Sequence, residues 1–428
     1  MKYTLKILFL LIFTTVPASS ISLDEALIES INNNLTLKIN KFNLEIAKED
    51  IFQSKSDFLP NVSLVGSIAQ TDSKNIMLQT GNKSSDSKLN SSSKSIIISQ
   101  SIFNGYFKEY DLKSSKLSYE LQELILKKSK QDVILETIDI YYNTLIAKKT
   151  YRAYVENFNA INTRFLSTKK EFEVGLASKT DVAQAESFMN TAKINMLNSK
   201  INYNNLINSF NDLVGVKAEN LIFSKILTSI PLSKKAFNDL ILNTNLAILI
   251  AKTNLDIKTA QVGTAESILY PQINLTASKT EVNESTSIVD SATVDEIKAT
   301  ISWPIFNSGK SLSTVKQAKK VKNTYLILLQ KTQMDTITLA STIWEQSVIV
   351  KETIEAAKLS YEASKTAFEG TKIEQEVGER TILDVLNAQQ TLLTSEIEFF
   401  NQQKNQEVIK AQLLYLIGEL NIENIVGK

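Results

Sequence analysis

The sequence predicts a mainly α-helical chain with a small β part, built as two tandem helix–strand–strand–helix repeats. Three observations carry that expectation. The first is internal duplication. Val174-Gly175 returns as Val377-Gly378, Asp181-Val182 as Asp384-Val385, and Leu213-Val214-Gly215 as Leu416-Ile417-Gly418, each pair 203 residues apart. Ile102-Phe103-Asn104 returns as Ile305-Phe306-Asn307 at the same offset, and Tyr141 falls opposite Trp344. Upstream, Phe58-Leu59-Pro60-Asn61-Val62-Ser63-Leu64 matches Leu269-Tyr270-Pro271-Gln272-Ile273-Asn274-Leu275 at an offset of 211. A duplication this long means one structural unit used twice. The second observation is the scarcity of breakers: the chain holds 11 Gly and 5 Pro, and none between Gly105 and Gly175, Gly175 and Gly215, Gly309 and Gly370, or Gly378 and Gly418. Spans of that kind rarely hold loops. The third is a change of period ahead of each long span, from 3.6 to 2. Ile297, Ala299 and Ile301 are apolar, while Lys298, Thr300 and Ser302 between them are polar.

The elements follow in order. Lys2 and Lys6 flank a basic start, 7–16 is an apolar run, and Ala18, Ser19 and Ser20 are small. This is the layout of a signal peptide over 1–20, cut after Ala18 or Ser20; ten apolar residues are too few to span a bilayer, which needs about 20. A first repeat over 21–216, a linker over 217–233, a second repeat over 234–420 and a short tail over 421–428 complete the division. Each repeat reads as helix, strand, loop, strand, very long helix, turn, long helix. Pro60 and Pro271 stand where helix gives way to strand. Val62, Leu64 and Ile68, then Ile96-Ile97-Ile98, mark two strands of the first copy; Ile273, Leu275 and Ala277, then Ile297 to Ile301, mark two of the second. Each is expected to run about 10 residues. The Ser-, Asn-, Asp-, Lys- and Thr-rich stretches 72–93 and 282–293 read as exposed loops. Leu117, Leu121 and Leu124, then Ile134, Ile138, Tyr141 and Leu145, make 4-3 apolar stripes of the coiled-coil kind; Val321, Tyr325 and Leu328 do so in the second copy. A helix over 106–172 would be roughly 100 Å long. Gly175 and Gly378 sit where such a helix stops and the next begins.

Composition excludes several function classes. The chain has no Cys and no His, so thiol nucleophiles, imidazole bases and the usual zinc ligands are missing. That excludes most hydrolase mechanisms, though a carboxylate-only enzyme would survive, and neither catalysis nor a cofactor or metal is expected. Lys+Arg is 47 and Asp+Glu is 46, a net charge of +1, which offers no basic field to nucleic acid. An exported chain with alternating strands suggests an outer-membrane barrel, because closed barrels and helices alone satisfy every backbone hydrogen bond in lipid. Four strands cannot close, since the smallest membrane barrels have about eight. Two chains or three would have to contribute, and strand arithmetic does not choose between them. The alternative is a structural or adhesive coiled-coil surface protein with incidental hairpins and no pore.

Past the second turn, Asp384, Asn387, Thr391, Thr394 and Glu398 step 3-4-3-4 along one helix face, while Leu386, Leu393, Ile397 and Phe400 lie on another. The first copy repeats the polar stripe with Asp181, Gln184, Thr191 and Asn195, interrupted by Phe188. Phe103, Tyr106, Phe107, Trp303 and Phe306 cluster at strand-to-helix junctions, as a membrane-interface girdle or as junction packing.

Phe-Leu-Pro-Asn-Val-Ser-Leu (58–64), Trp-Pro-Ile-Phe-Asn-Ser-Gly (303–309) and Val-Gly-Glu-Arg-Thr-Ile-Leu-Asp-Val-Leu-Asn-Ala-Gln (377–389) resemble the TolC family of outer membrane efflux proteins. So does the weaker counterpart Val-Gly-Leu-Ala-Ser-Lys-Thr-Asp-Val-Ala-Gln-Ala (174–185), and the resemblance covers essentially the whole mature chain. It implies a homotrimer in the outer membrane of a Gram-negative bacterium, with a 12-stranded β-barrel and a 12-helix periplasmic α-barrel. The trimer would be a passive exit duct for efflux or type I secretion, receiving cargo from an inner-membrane transporter through a periplasmic adaptor. Val174, Gly175, Leu176, Val377, Gly378 and Glu379 match the family's adaptor-docking turns. Asp181, Gln184, Gln375, Arg380, Asp384 and Asn387 match its periplasmic gate. There Asp384 would supply a ring of carboxylates, and Arg380 would tie neighbouring helix pairs together with Asp181 as its partner. The family often carries an aromatic where this chain has Gln375, and an acid where it has Asn387; both departures imply a weaker latch and ring.

Overall fold

The computed structural model describes residues 21–74, 87–218, 220–227, 233–286 and 289–426. The expected leader at 1–20, the middle of the first expected loop at 75–86, and parts of the linker and tail lie outside those residues.

The order is α1 (Leu23–Asn33), α2 (Leu35–Ser56), β1 (Asn61–Ser73), β2 (Ser87–Phe103), α3 (Phe107–Glu173) and α4 (Lys179–Val214). Then come α5 (Lys234–Thr244), α6 (Leu246–Glu266), β3 (Gln272–Thr286), β4 (Val289–Ser302), α7 (Lys310–Glu376), α8 (Ile382–Leu416) and a short α9 (Ile422–Val426). The chain is thus mostly helical with a small antiparallel sheet. The breaker-free spans are helices: α3 and α7 each run 67 residues, α4 runs 36 and α8 runs 35.

Two expectations are corrected. The helix ahead of each strand pair is two helices, broken at Asn34 and Asn245, which adopt extended backbone with ψ of 121° and 125°. Asn34 Oδ1 accepts from the Leu37 N–H at 3.0 Å and caps α2, while Asn245 Nδ2 donates to the Leu416 carbonyl at 2.9 Å. The strands are longer than expected, at 13, 17, 15 and 14 residues, and extend into both stretches read as loops. Their hydroxyl side chains bond across the ladder, Ser67 to Ser93 at 2.8 Å and Ser95 to Thr280 at 2.9 Å, so a polar composition is compatible with pairing. The expected tail holds α9, whose Ile425 is buried and whose Ile425 carbonyl accepts from the Leu227 N–H at 3.3 Å.

The chain forms two compact units. One comprises residues up to Lys38, Lys127–Asn245 and the chain from Asp335. Its core holds Tyr141, Tyr142, Phe210, Phe237, Ile241 and Leu416, all essentially fully buried. The Tyr141 hydroxyl lies 2.7 Å from the Ile222 carbonyl and 3.0 Å from that of Ile21, and accepts from the Ile222 N–H at 3.1 Å. Tyr142 donates to the Ser224 carbonyl, and buried Glu407 accepts from the Ile226 N–H at 2.6 Å and from Lys410 at 3.0 Å. The linker over 220–227 is therefore an irregular strap stitched to α3, α8 and α9. Burial pushes the Tyr141 phenol up to about 12.

The other unit comprises Ile39–Leu126 and Leu246–Met334. It contains the sheet, ordered β1-β2-β3-β4 with every neighbour antiparallel, so β1 and β4 are its edges. Directly paired residues share a face, and alternate residues point oppositely. Val62, Ile98, Ala277 and Ile297 make one cross-strand row, and Leu64 with Ile96 continues the same face. The reverse face carries Ser63, Ser95, Ser99, Thr276, Ser278, Thr280 and Thr300. Where the helices of this unit meet, Gly263 lies flat against the Tyr110 ring, and a Cβ there would run into it. Gly263→Ala is expected to lower stability by about 1–3 kcal/mol through overpacking, read as a fall in the thermal midpoint of purified protein; Gly370→Ala, in open space within α7, is the control and should raise that midpoint slightly, because Ala is the better helix former by up to about 1 kcal/mol.

Candidate functional site

Both long helices end alike. The Leu176 N–H bonds to the Glu171 carbonyl at 2.8 Å and the Gly175 N–H to that of Phe172 at 3.0 Å. In the second copy Glu379 bonds to Glu374 at 2.8 Å and Gly378 to Gln375 at 3.0 Å. These paired reversed bonds are the Schellman motif, which needs a left-handed residue; Gly175 and Gly378 supply it with φ of +81° and +83°. A Cβ on either would meet nothing within 4 Å, so the backbone conformation demands Gly and crowding does not.

The next helices start alike too. Ser178 caps α4 and Thr381 caps α8, each in a capping box closed by an acid three residues on. Asp181 Oδ2 accepts from the Ser178 N–H at 2.8 Å and hydroxyl at 2.7 Å. Asp384 Oδ2 accepts from the Thr381 hydroxyl at 2.7 Å and N–H at 2.9 Å. Those hydroxyls, and then those amides, hold both carboxyls below the usual carboxylate range; nearby Arg380 adds a smaller push to Asp384. A folded pKa below the unfolded value stabilises the caps fully above the ordinary 3.8, and the contribution is lost as pH falls through the depressed value. Carboxyl carbon-13 shift titrations should therefore give midpoints below 3.8 for both acids, and Ser178→Ala or Thr381→Ala should return the corresponding midpoint towards it.

The two turns face a common recess of about 360 Å³, lined by Leu176 and Ala177 from the first turn, Gln375, Thr381 and Leu383 from the second, and Glu171, Asp181 and Gln184. The structure thus brings Leu176, Asp181, Gln184 and Gln375 together. Arg164 Nη1 donates to Gln375 Oε1 at 3.3 Å, so the Gln375 amide is tied back to α3. Arg380 does not pair with Asp181 within the chain: its Nε meets Glu374 Oε2 at 2.9 Å, and Asp181 is committed to its own cap. Val174, Leu176 and Val377 are largely exposed, an apolar trio projecting from the turns, with Gly378 and Glu379 exposed beside them.

The polar stripe on α8 keeps to one face. Asn387, Thr391, Thr394 and Glu398 are exposed, while Val385, Leu386 and Leu393 are buried. Leu386 packs with Ile161 of α3 and Ala192 of α4, and Phe188, which interrupts the first-copy stripe, is half-buried against that cluster. Among the described residues no helix is long and apolar enough to cross a membrane, and no group of acids could hold a metal ion.

Comparison with known proteins decides the family. The family model described as outer membrane efflux protein matches residues 26–215 and 238–419. The chain belongs to that family. This efflux protein is 23% identical to the outer membrane efflux protein BepC of Brucella suis over 97% of its own length and 89% of BepC. It is 26% identical to the outer membrane protein TolC of Escherichia coli over 79% of its length and 70% of TolC. Its fold matches the crystal structure of the CmeC outer membrane channel of Campylobacter jejuni with a TM-score of 0.82 at 19% identity, covering 93% of this chain and 86% of that one. The chain is accordingly an outer membrane efflux protein by family, with the fold of the CmeC outer membrane channel.

Proposed function

We propose that three copies join into one channel, with a 12-stranded barrel in the outer membrane and a 12-helix periplasmic tunnel, and that the channel conducts cargo passively. The observation that carries this is the sheet. It has two open edges, an isoleucine-rich face and a hydroxyl-rich face. Unpaired backbone groups are not tolerated in lipid, and about eight strands are the least that close, so four strands need further copies. The hydroxyl face then lines a wet passage. Exposed Ile39, Phe42 and Ile46, at 3-4 spacing along α2, give the assembly an apolar seam for a helix of the next copy.

The turns around Gly175 and Gly378 are the inner mouth and receive the tips of a periplasmic adaptor. An inner-membrane transporter supplies the energy and selects the cargo. Exposed Val174, Leu176 and Val377 give the adaptor an apolar contact, and the two glycines leave its approach unobstructed. Asp384 contributes one carboxylate per copy to a ring that favours cations over anions. Arg380, held by Glu374, keeps positive charge at the same mouth and narrows it. That pair is exposed and worth only about 0–1 kcal/mol, so Arg380 is easily drawn from it when the adaptor docks and the mouth opens. Arg380→Ala should raise single-channel conductance in a planar bilayer; an unchanged conductance removes Arg380 from the gate. The assembly itself is tested by native mass in detergent and by crosslinked pull-down from the native envelope. Three copies recovered with an adaptor and a transporter support it, and a lone monomer refutes it.

A further inference from the structure

We infer that Glu396 is a proton-sensing positioning residue: protonated, it lets α8 pack on α3, and ionised, it loosens that seam. The contact lies within one chain and stands whether or not copies assemble. Its consequence for the mouth rests on the channel reading above, because α8 begins at the Thr381 cap of the second turn.

The seam is built on one face of α8. Leu386, Gln389, Leu393, Glu396, Phe400 and Lys404 recur at spacings of three or four, which keeps them on one side of a helix. Contacts on both sides of Glu396 fix that face against α3. Leu386 packs with Ile161. Lys149 Nζ lies 5.1 Å from the centre of the Phe400 ring, and Lys404 Nζ donates to Asn143 Oδ1 at 3.0 Å. Glu396 therefore meets the α3 stretch between Lys149 and Ile161, which carries Glu156.

That stretch is poorly made to hold a negative charge. Burial pushes the Glu396 carboxyl up, and Glu156 pushes it further, while Lys365 of α7 opposes them. The cations of α3 nearby are engaged elsewhere. Lys149 Nζ is drawn between Phe223 and Phe400, 5.5 and 5.1 Å from their ring centres. Arg152 acts on Tyr203 of α4, which stacks on Tyr151 at 6.2 Å. So α3 offers Glu396 a like charge where a counter-ion would be needed. The seam also has little in reserve. Asn157 and Gln389, 5% and 6% exposed, bury amide oxygens that have no hydrogen-bond donor among the described residues. Buried acceptors without donors weaken the packed arrangement.

A folded pKa above the ordinary 4.5 means that the proton favours the packed seam. The packing is fully supported below 4.5 and loses that support as pH rises through the raised value. Asp181 and Asp384 respond the other way, since their caps weaken only as pH falls below 3.8. The two ends of the response therefore occupy separate windows, with the caps failing in strong acid and the seam loosening on the alkaline side.

Hydrogen exchange of the purified full-length protein tests this, read by mass spectrometry from roughly pH 5 to roughly pH 8 and corrected for the intrinsic exchange rate. Amides of 386–400 and 149–161 should lose protection as pH rises. Glu396→Gln should hold them at the protected level throughout. Glu156→Gln leaves α8 untouched and should shrink the loss, which decides the matter alone if the Glu396 variant does not fold. Glu355→Gln removes an exposed acid of α7 and should keep the wild-type profile. Flat protection in the wild type, a Glu396→Gln seam that loosens as the wild type does, or an equal effect of Glu355→Gln overturns the inference. The readout needs no pore, so a result that sinks the channel reading leaves this test intact.

Discussion

Replacing Gly175 by Trp is expected to abolish export while leaving normal amounts of assembled channel in the outer membrane. Gly175 adopts φ of +81°, and nothing lies within 4 Å of the position a Cβ would take. A side chain there costs local backbone strain of roughly 1–2 kcal/mol, but its Cβ meets nothing in the chain and the turn is exposed, so the helices that flank it keep their packing. What changes is the surface: an indole stands beside Val174 and Leu176, where an adaptor tip would seat. Gly175→Ala separates strain from bulk. It carries the same left-handed penalty with little volume, so export in a strain lacking the native gene should fall far less than with Trp. If Ala and Trp reduce export equally, strain explains the loss and the docking role fails. If neither reduces it, the first-copy turn is not a contact at all.

Tyr141→Ala is expected to destabilise the strap unit by about 3–5 kcal/mol, the usual result of truncating a large buried ring. Tyr141 is fully buried, packs edge-on against Tyr142 at 5.7 Å and touches Phe210 at 6.3 Å. Its hydroxyl also serves the backbone of Ile222 in the strap and lies by Ile21. Tyr141→Phe keeps the ring and leaves the Ile222 N–H without that acceptor, which should cost about 1–3 kcal/mol. Urea midpoints of the purified protein would show the order wild type, Phe, Ala. Hydrogen exchange should report the earliest opening at 220–227. A Phe variant as unstable as Ala would mean that the hydroxyl, and not the ring, holds the strap.

The parts of the fold legible in the sequence are those that periodicity and breakers encode. Breaker-free spans became α3, α4, α7 and α8, and Gly175 and Gly378 stand at their ends with left-handed backbone. Alternation found all four strands but not their length. Ser67, Ser93, Ser95 and Thr280 look like loop residues until a partner strand offers them hydroxyls to bond, and that partner is distant in sequence. The breaks at Asn34 and Asn245 were hidden because Asn is tolerated within helices. Only their equivalent placement, 211 residues apart, hinted at them. The capping roles of Asp181 and Asp384 went unread, although the Ser-x-x-Asp and Thr-x-x-Asp spacings carry them. The pairing of Arg380 with Glu374 was not legible, because it depends on how the turn folds the chain back over six residues. Glu407 had no local signature: its partner N–H is 181 residues away in an irregular strap.

Conductance of the purified protein across a planar lipid bilayer tests the enclosed, water-filled passage most directly. Uniform current steps are expected, with cations preferred over anions, and Asp384→Asn should weaken that preference without removing the steps. A protein that enters the bilayer as a monomer and carries no current would contradict the account.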